Sequence, residues 1–228
     1  MKDLLECATR VFIAQGYRQT QMADIAEAMG VAKGTLYLYV ESKQALFAAA
    51  LHYSDGQAPT ASDLDLPIAT PKRGALRQEI RDRLDHEAVP PALERAIRSD
   101  RIEDVRAEFE SILRELFAAS SQHRTGIKLI DRCGTDHPDL GNLFFEAGRG
   151  SQLDLLRRYL DSRIRGGWLK PVPDLALAAR FVIETIATWA VHIHWDPAPQ
   201  AMEPGDAEDT AVHFLLSALL EDERVDRR

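Results

Sequence analysis

The run Lys33-Gly34-Thr35-Leu36-Tyr37-Leu38-Tyr39-Val40 brings hydroxyl, apolar and cationic groups together on one short stretch of chain. At about 100° per residue, Leu36 and Val40 fall on one side of a helix and Gly34, Thr35, Tyr37 and Leu38 on the other. The second set is a poor face for water, because it shows an aliphatic side chain and an aromatic ring with a glycine between turns. It is a good face for the edges of base pairs. Glycine lets another surface approach the backbone, Thr35 and Tyr37 carry hydroxyls, and Leu38 can touch a thymine methyl. Lys33, Tyr39 and Lys43 are candidate phosphate contacts, Lys43 at the start of a helix whose free N–H groups attract anions. The competing reading is an ordinary corner between two helices, with Tyr37 and Leu38 buried by later parts of the chain. Exposure of those two side chains separates the two.

A short groove-reading helix needs other helices to hold it. Apolar residues recur at helical spacing almost everywhere, and no stretch alternates as a half-buried strand would, so the chain reads as all-α. Leu4, Leu5, Ala8, Val11 and Phe12 mark a first helix closed by Gly16. Thr20 is placed to cap a second helix holding Ile25, Ala26 and Met29, which Gly30 ends. A third runs from about Ala32 to Tyr39, and Ser42 caps a fourth. Residues 20 to 43 are thus two short helices around a glycine-containing turn, the grammar of a helix-turn-helix. From Ser54 to Gly74 three prolines and scattered polar residues mark a surface excursion, with Leu64, Leu66 and Ile68 able to pack down. Further helices follow at about 75–87, 91–98, 102–121, 126–133, 137–165, 174–195 and 206–220.

The 228 residues carry 28 Lys plus Arg against 36 Asp plus Glu, a net charge of -8. Residues 1–47 hold Lys2, Arg10, Arg18, Lys33 and Lys43 against Asp3, Glu6, Asp24, Glu27 and Glu41, so they are neutral and all the excess acid lies beyond them. Any polyanion would meet the first 47 residues. Charge-free stretches are far shorter than the roughly 20 residues a membrane helix needs, and the N-terminus lacks a secretory apolar region; a cytoplasmic protein with no membrane partner is expected. Cys7 and Cys133 stand alone, which suggests core thiols, with neither a disulfide framework nor a zinc site. Ser-His-Asp order, a phosphate-binding loop and a dinucleotide fingerprint are all missing, so no enzyme and no cofactor is expected.

The residues Gly16-Tyr17, Thr20, Asp24-Ile25-Ala26, Gly30-Val31, Lys33-Gly34-Thr35-Leu36-Tyr37, Tyr39, Ser42-Lys43 and Leu46 together resemble the N-terminal domain of TetR-family transcriptional regulators. Weaker likeness continues at His137-Pro138, Gly167-Trp168-Leu169, Ala178-Ala179-Arg180-Phe181 and Trp189. There are two departures: Ala32 stands where the family has a Ser or Thr cap, and Val40 where it has an aromatic. The resemblance implies a three-helix DNA-binding domain at 1–47 and a larger helical effector-binding and dimerisation domain at 48–228. It adds Thr20 to the DNA contacts. It also implies a homodimeric repressor on a palindromic operator, released by a small molecule and paired through helices 174–195 and 206–220. Ala179, Ile183, Ile186 and Ala190 line one side of the first of these and are small enough to admit a close neighbour.

In the larger domain, Phe109, Phe117, Phe144, Phe145, Trp189 and His192 are candidate lining for an effector pocket, with plain core as the alternative. Glu184, four residues after Arg180, is either its ion-pair partner or a charged anchor for an effector. Asp131, Cys133, Asp136, His137 and Asp139 hold ligand atoms, but helix capping accounts for them without a metal. The rival classes are a helical interaction module that does not bind DNA and, less favoured, a helical enzyme using the 131–139 cluster.

Overall fold

The computed structural model describes residues 1–54, 56, 65–87, 89–99, 101–137, 149–198, 201–203 and 205–221. Among these residues it contains eleven α-helices: α1 (Lys2–Gln15), α2 (Met22–Met29), α3 (Lys33–Leu36), α4 (Lys43–His52), α5 (Ala75–Glu87), α6 (Pro91–Arg98), α7 (Val105–Gln122), α8 (Arg124–Cys133), α9 (Arg149–Arg165), α10 (Leu175–Ala190) and α11 (Asp206–Leu219). The chain forms two compact units, one from residues 1–83 and 123–147, the other from 84–122 and 148–228. No described helix is long and apolar enough to cross a membrane.

In the first unit α1 packs against α2, α4 and α8. Phe12, Ile25, Leu46 and Phe47 are fully buried between them. Gly30, at φ 67° and ψ 29°, takes the left-handed conformation that ends α2 and turns the chain into α3, a place where a side chain would be strained. Ser42 caps α4 by accepting a hydrogen bond from Ala45 N at 3.1 Å. The cap of α2 differs from the expected one. Gln21 occupies it, donating its own N–H to Asp24 Oδ2 at 2.7 Å, and Thr20 is drawn inward. The first unit also extends beyond the expected 1–47 boundary. The α8 segment returns to it, and Cys133 donates its thiol to Phe12 O at 3.5 Å.

The second unit is an α-helical bundle in which α10 packs on α7, α9 and α11. Its centre holds a buried ion pair. Arg163 is 3% exposed and grips Glu108 with two nitrogens at 2.8 and 3.1 Å, while also donating to Ala96 O at 2.7 Å. Three helices, α6, α7 and α9, meet at that one guanidinium. Its protonation is secure: burial pushes its pKa down, but the bonds and charge of Glu108 outweigh this and raise it. At the start of α11, Arg114 from α7 bonds Glu208 at 3.0 Å and Asp209 at 2.8 Å, and those same acids favour the positive end of the helix.

One boundary differs from expectation. The α10 helix stops at Ala190 and gives way to a tighter 3-10 turn over His192–Trp195. The helix start expected at His137-Pro138-Asp139 lies, from Pro138 on, outside the described residues.

Candidate nucleic-acid interface

The α3 helix has a single turn of helix and continues as a string of tight turns to Val40. Its inner side is anchored by Leu36 at 1% and Val40 at 0% exposure. Its outer side shows Tyr37 at 43% and Leu38 at 69%. Lys33 and Gly34 are exposed, Thr35 and Tyr39 are half-buried, and open space surrounds the position a Gly34 Cβ would take. The corner reading, which needed Tyr37 and Leu38 sealed, is excluded. As expected from Ala32, the start of α3 has no side-chain cap.

Two of the residues expected at this surface have other work. Thr20 is fully buried and donates its hydroxyl to Gly16 O at 2.7 Å, which ties the end of α1 to the start of α2. Lys43 is half-buried, and its ammonium donates to Tyr17 O and Thr20 O, both at 2.9 Å, while lying 4.5 Å from the centre of the Tyr17 ring. These arrangements correct two expectations, Thr20 as a DNA contact and Lys43 as a phosphate contact. The cause is the same for each. The turn between α1 and α2 leaves carbonyls without helical partners, and Thr20 and Lys43 satisfy them.

The first unit also holds a ring cluster that spacing alone did not disclose. Phe12, Tyr17, Phe47 and His137 meet with centroids 4.3 to 6.0 Å apart. Beside it Asp136 Oδ2 accepts the Arg18 N–H at 2.8 Å. Asp136 and His137 thus position the turn that leads into α2. Burial pushes the Cys133 thiol up to about 12, and both Cys133 and Cys7 are free and buried. Among the described residues no group of three or more His, Cys, Asp or Glu is arranged to hold a metal; Asp139 lies outside them.

The residues proposed for an effector divide. Phe109 is sealed in the core with its ring stacked on Tyr159 at 5.7 Å, and Phe117 is buried. Phe144 and Phe145 lie outside the described residues. Trp189 and His192 are half-buried. Glu184 meets Arg180 at 3.3 Å on the surface, the pairing its spacing also allowed.

The face of α10 expected to meet a second copy is turned inward. Ala179, Ile183, Ile186 and Ala190 are 0 to 8% exposed, packed within their own chain. The opposite side of the helix carries the unpartnered apolar groups, Leu177 at 66% and Phe181 at 67%, with Phe214 of α11 also at 67%. The α10 helix is apolar on two sides, and spacing alone did not distinguish the core side from the outer one.

A small, inward-anchored helix with an outward apolar and hydroxyl face, held by a left-handed glycine turn, defines a helix-turn-helix module, followed here by a larger helical unit. Residues 4–50 match the family described as bacterial regulatory proteins, tetR family, and residues 105–218 match the AefR-like transcriptional repressor C-terminal domain. The chain belongs to the TetR family of transcriptional regulators.

No curated protein sequence matches it. Among solved structures, the ketosteroid transcriptional regulator KstR2 of Mycobacterium tuberculosis is similar over 97% of this chain and 95% of its own, at 18% identity and TM-score 0.58. SCO3833 of Streptomyces coelicolor A3, a TetR-family member, is similar over 94% and 89%, at 19% identity and TM-score 0.56. AibR in complex with isovaleryl coenzyme A and operator DNA is similar over 94% and 96%, at 18% identity and TM-score 0.53.

Proposed function

We propose that the chain acts as a homodimeric, ligand-responsive repressor, reading a palindromic operator with α3 and releasing it when a small molecule binds the larger helical unit. The exposure of Leu38 and Tyr37, opposite the sealed Leu36 and Val40, carries this reading. Direct contacts come from Gly34, Thr35, Tyr37 and Leu38 in the major groove, with Lys33 and Tyr39 toward phosphates. Residues 1–47 form the DNA-reading part and residues 48–228 the effector and dimerisation part. The protein works in the cytoplasm and has no catalytic role.

Two-fold pairing follows from the operator geometry. Half-sites one helical turn apart, about 34 to 36 Å, call for two copies of so short a reading helix. The outer face of α10 and α11, with Leu177, Phe181 and Phe214, is the dimer surface. Hydrophobic groups of that size left in water favour a partner that covers them. The effector chemistry is a small molecule taken up within the second unit, where Trp189 and His192 are the half-buried members of the candidate set.

The test is to select bound fragments from the source genome and measure affinity for the best of them by fluorescence anisotropy. Tyr37→Ala is expected to lose operator binding by more than about tenfold, the loss of one good base-edge contact being worth about 1 to 3 kcal/mol per site, while folding and dimerisation persist. Failure of the wild-type chain to enrich any fragment would refute the reading.

A further inference from the structure

The neutral charge of residues 1–47 leaves the helix-turn-helix short of what duplex binding ordinarily uses, since affinity for DNA rests largely on bases that neutralise phosphates. The structure supplies further bases from outside the module, on a segment that follows α4 and is fastened to the exit of α3. Ile68 donates its N–H to Tyr39 O at 2.8 Å and accepts from Glu41 N at 3.0 Å, forming a parallel bridge between Val40 and Ile68. Two residues on, Thr70 N donates to Glu41 Oε2 at 2.8 Å, and the hydroxyls of Thr70 and Ser42 share a hydrogen bond of 2.8 Å. Four bonds thus hold Ile68–Thr70 along Tyr39–Ser42.

The next residues are also fixed. Ala75 N donates to Lys72 O at 2.9 Å, and Gly74, at φ +84°, turns the chain into α5. Lys72 and Arg73 therefore sit in a closed turn. Both side chains are exposed, and among the described residues neither is paired with a carboxylate. Ile68–Gly74 contains no acid. Glu41, the acid hydrogen-bonded to this segment, accepts the Thr70 N–H. From Thr70 to Lys72 the backbone spans at most about 7 Å, so the chain at Lys72 stays near Thr70 and, through the Thr70–Ser42 hydrogen bond, near the Ser42 cap that follows α3.

We propose that Ile68–Arg73 is a second DNA-contacting element, laying Lys72 and Arg73 against the phosphate backbone beside the base pairs read by α3. This rests on the proposed reading of α3 as the recognition helix. The hydrogen bonds to Tyr39, Glu41 and Ser42 make the segment move with α3. The element adds affinity and orientation without sequence preference, because its groups meet phosphates and not base edges. The half-buried Ile68 covers the strand-like exit at Val40, where the family resemblance places a larger aromatic side chain.

The experiment compares wild type, K72A/R73A, R157A/R158A and Y37A by fluorescence anisotropy on a selected genomic fragment and on an unrelated duplex, between 50 and 200 mM KCl. R157A/R158A changes the net charge equally through exposed residues of α9. For K72A/R73A we expect both DNAs to bind at least about tenfold more weakly at 0.15 M salt. The slope of log affinity against log salt should fall by about 3 to 4 for a dimer losing four bases, each neutralised phosphate contributing about 0.9. The R157A/R158A slope should match wild type. An unchanged slope in K72A/R73A, or an equal fall in R157A/R158A, would overturn the proposal while leaving the recognition-helix reading intact if Y37A still loses the selected fragment. A wild-type chain that binds neither duplex would overturn both.

Discussion

Phe181→Glu should convert the protein from dimer to monomer while leaving each chain folded. Phe181 and Phe214 each keep 67% of their surface in water in the isolated chain, and Leu177 keeps 66%. A phenylalanine offers roughly 200 Å², so about 130 Å² of Phe181 remains for a partner to cover. At about 25 cal/mol per Å² that is about 3 kcal/mol per ring. A two-fold interface uses the residue twice, giving about 6 kcal/mol per dimer. Interfaces return only part of such area as affinity, and half of it still corresponds to a dissociation constant raised by about two orders of magnitude. The introduced carboxylate adds a desolvation penalty in the same direction. Phe181 is exposed within the monomer, so the stability of the isolated chain should change by no more than an exposed substitution does, about 0.5 kcal/mol. Sedimentation equilibrium from 0.1 to 50 μM is the assay. A variant that remains a dimer with wild-type affinity would refute the assignment of this face. Ile183→Glu separates the two sides of α10: Ile183 is 8% exposed and faces the core, so that substitution should unfold the chain.

Leu38→Ala should reduce operator affinity at positions presenting a thymine methyl and leave the melting curve within about 0.5 kcal/mol of wild type, because 69% of the side chain is already in water; a comparable loss of folding would show that Leu38 packs inside. Glu108→Ala should destabilise the second unit by about 3 to 5 kcal/mol, since it strands the buried Arg163 charge, and urea unfolding checks it; a loss under about 1 kcal/mol would mean water reaches the guanidinium. Glu108→Leu with Arg163→Met should recover much of that loss. The Cys133 thiol is raised from 9.0 to about 12 in the folded chain. Above pH 9 the unfolded chain therefore binds fewer protons than the folded one, and stability should fall as pH rises from 9 to 12. Cys133→Ala should flatten that slope in thermal melts, and a slope unchanged by the substitution would assign it to other groups.

The local grammar of the first 47 residues was legible because each feature depends on near neighbours. Gly16 and Gly30 end helices through their own conformational freedom, Ser42 caps α4 by reaching three residues on to Ala45, and the division of α3 into an anchored and a bare side follows from Leu36, Val40 and Leu38 at helical spacing. The all-helical class and most helix boundaries follow from the same short-range periodicity. Only tertiary structure decided which of two apolar faces of α10 is core, because periodicity records that a face is apolar without recording what covers it. Tertiary structure likewise turned Thr20 and Lys43 inward, since the carbonyls they satisfy belong to a turn whose shape no single residue specifies. The docking of Ile68–Thr70 on Glu41 and Ser42, and of Asp136 on the turn at Arg18, joins residues about 30 and over 100 positions apart. Such contacts are set by how helices stack and where loops return, which a pattern read along the chain does not encode.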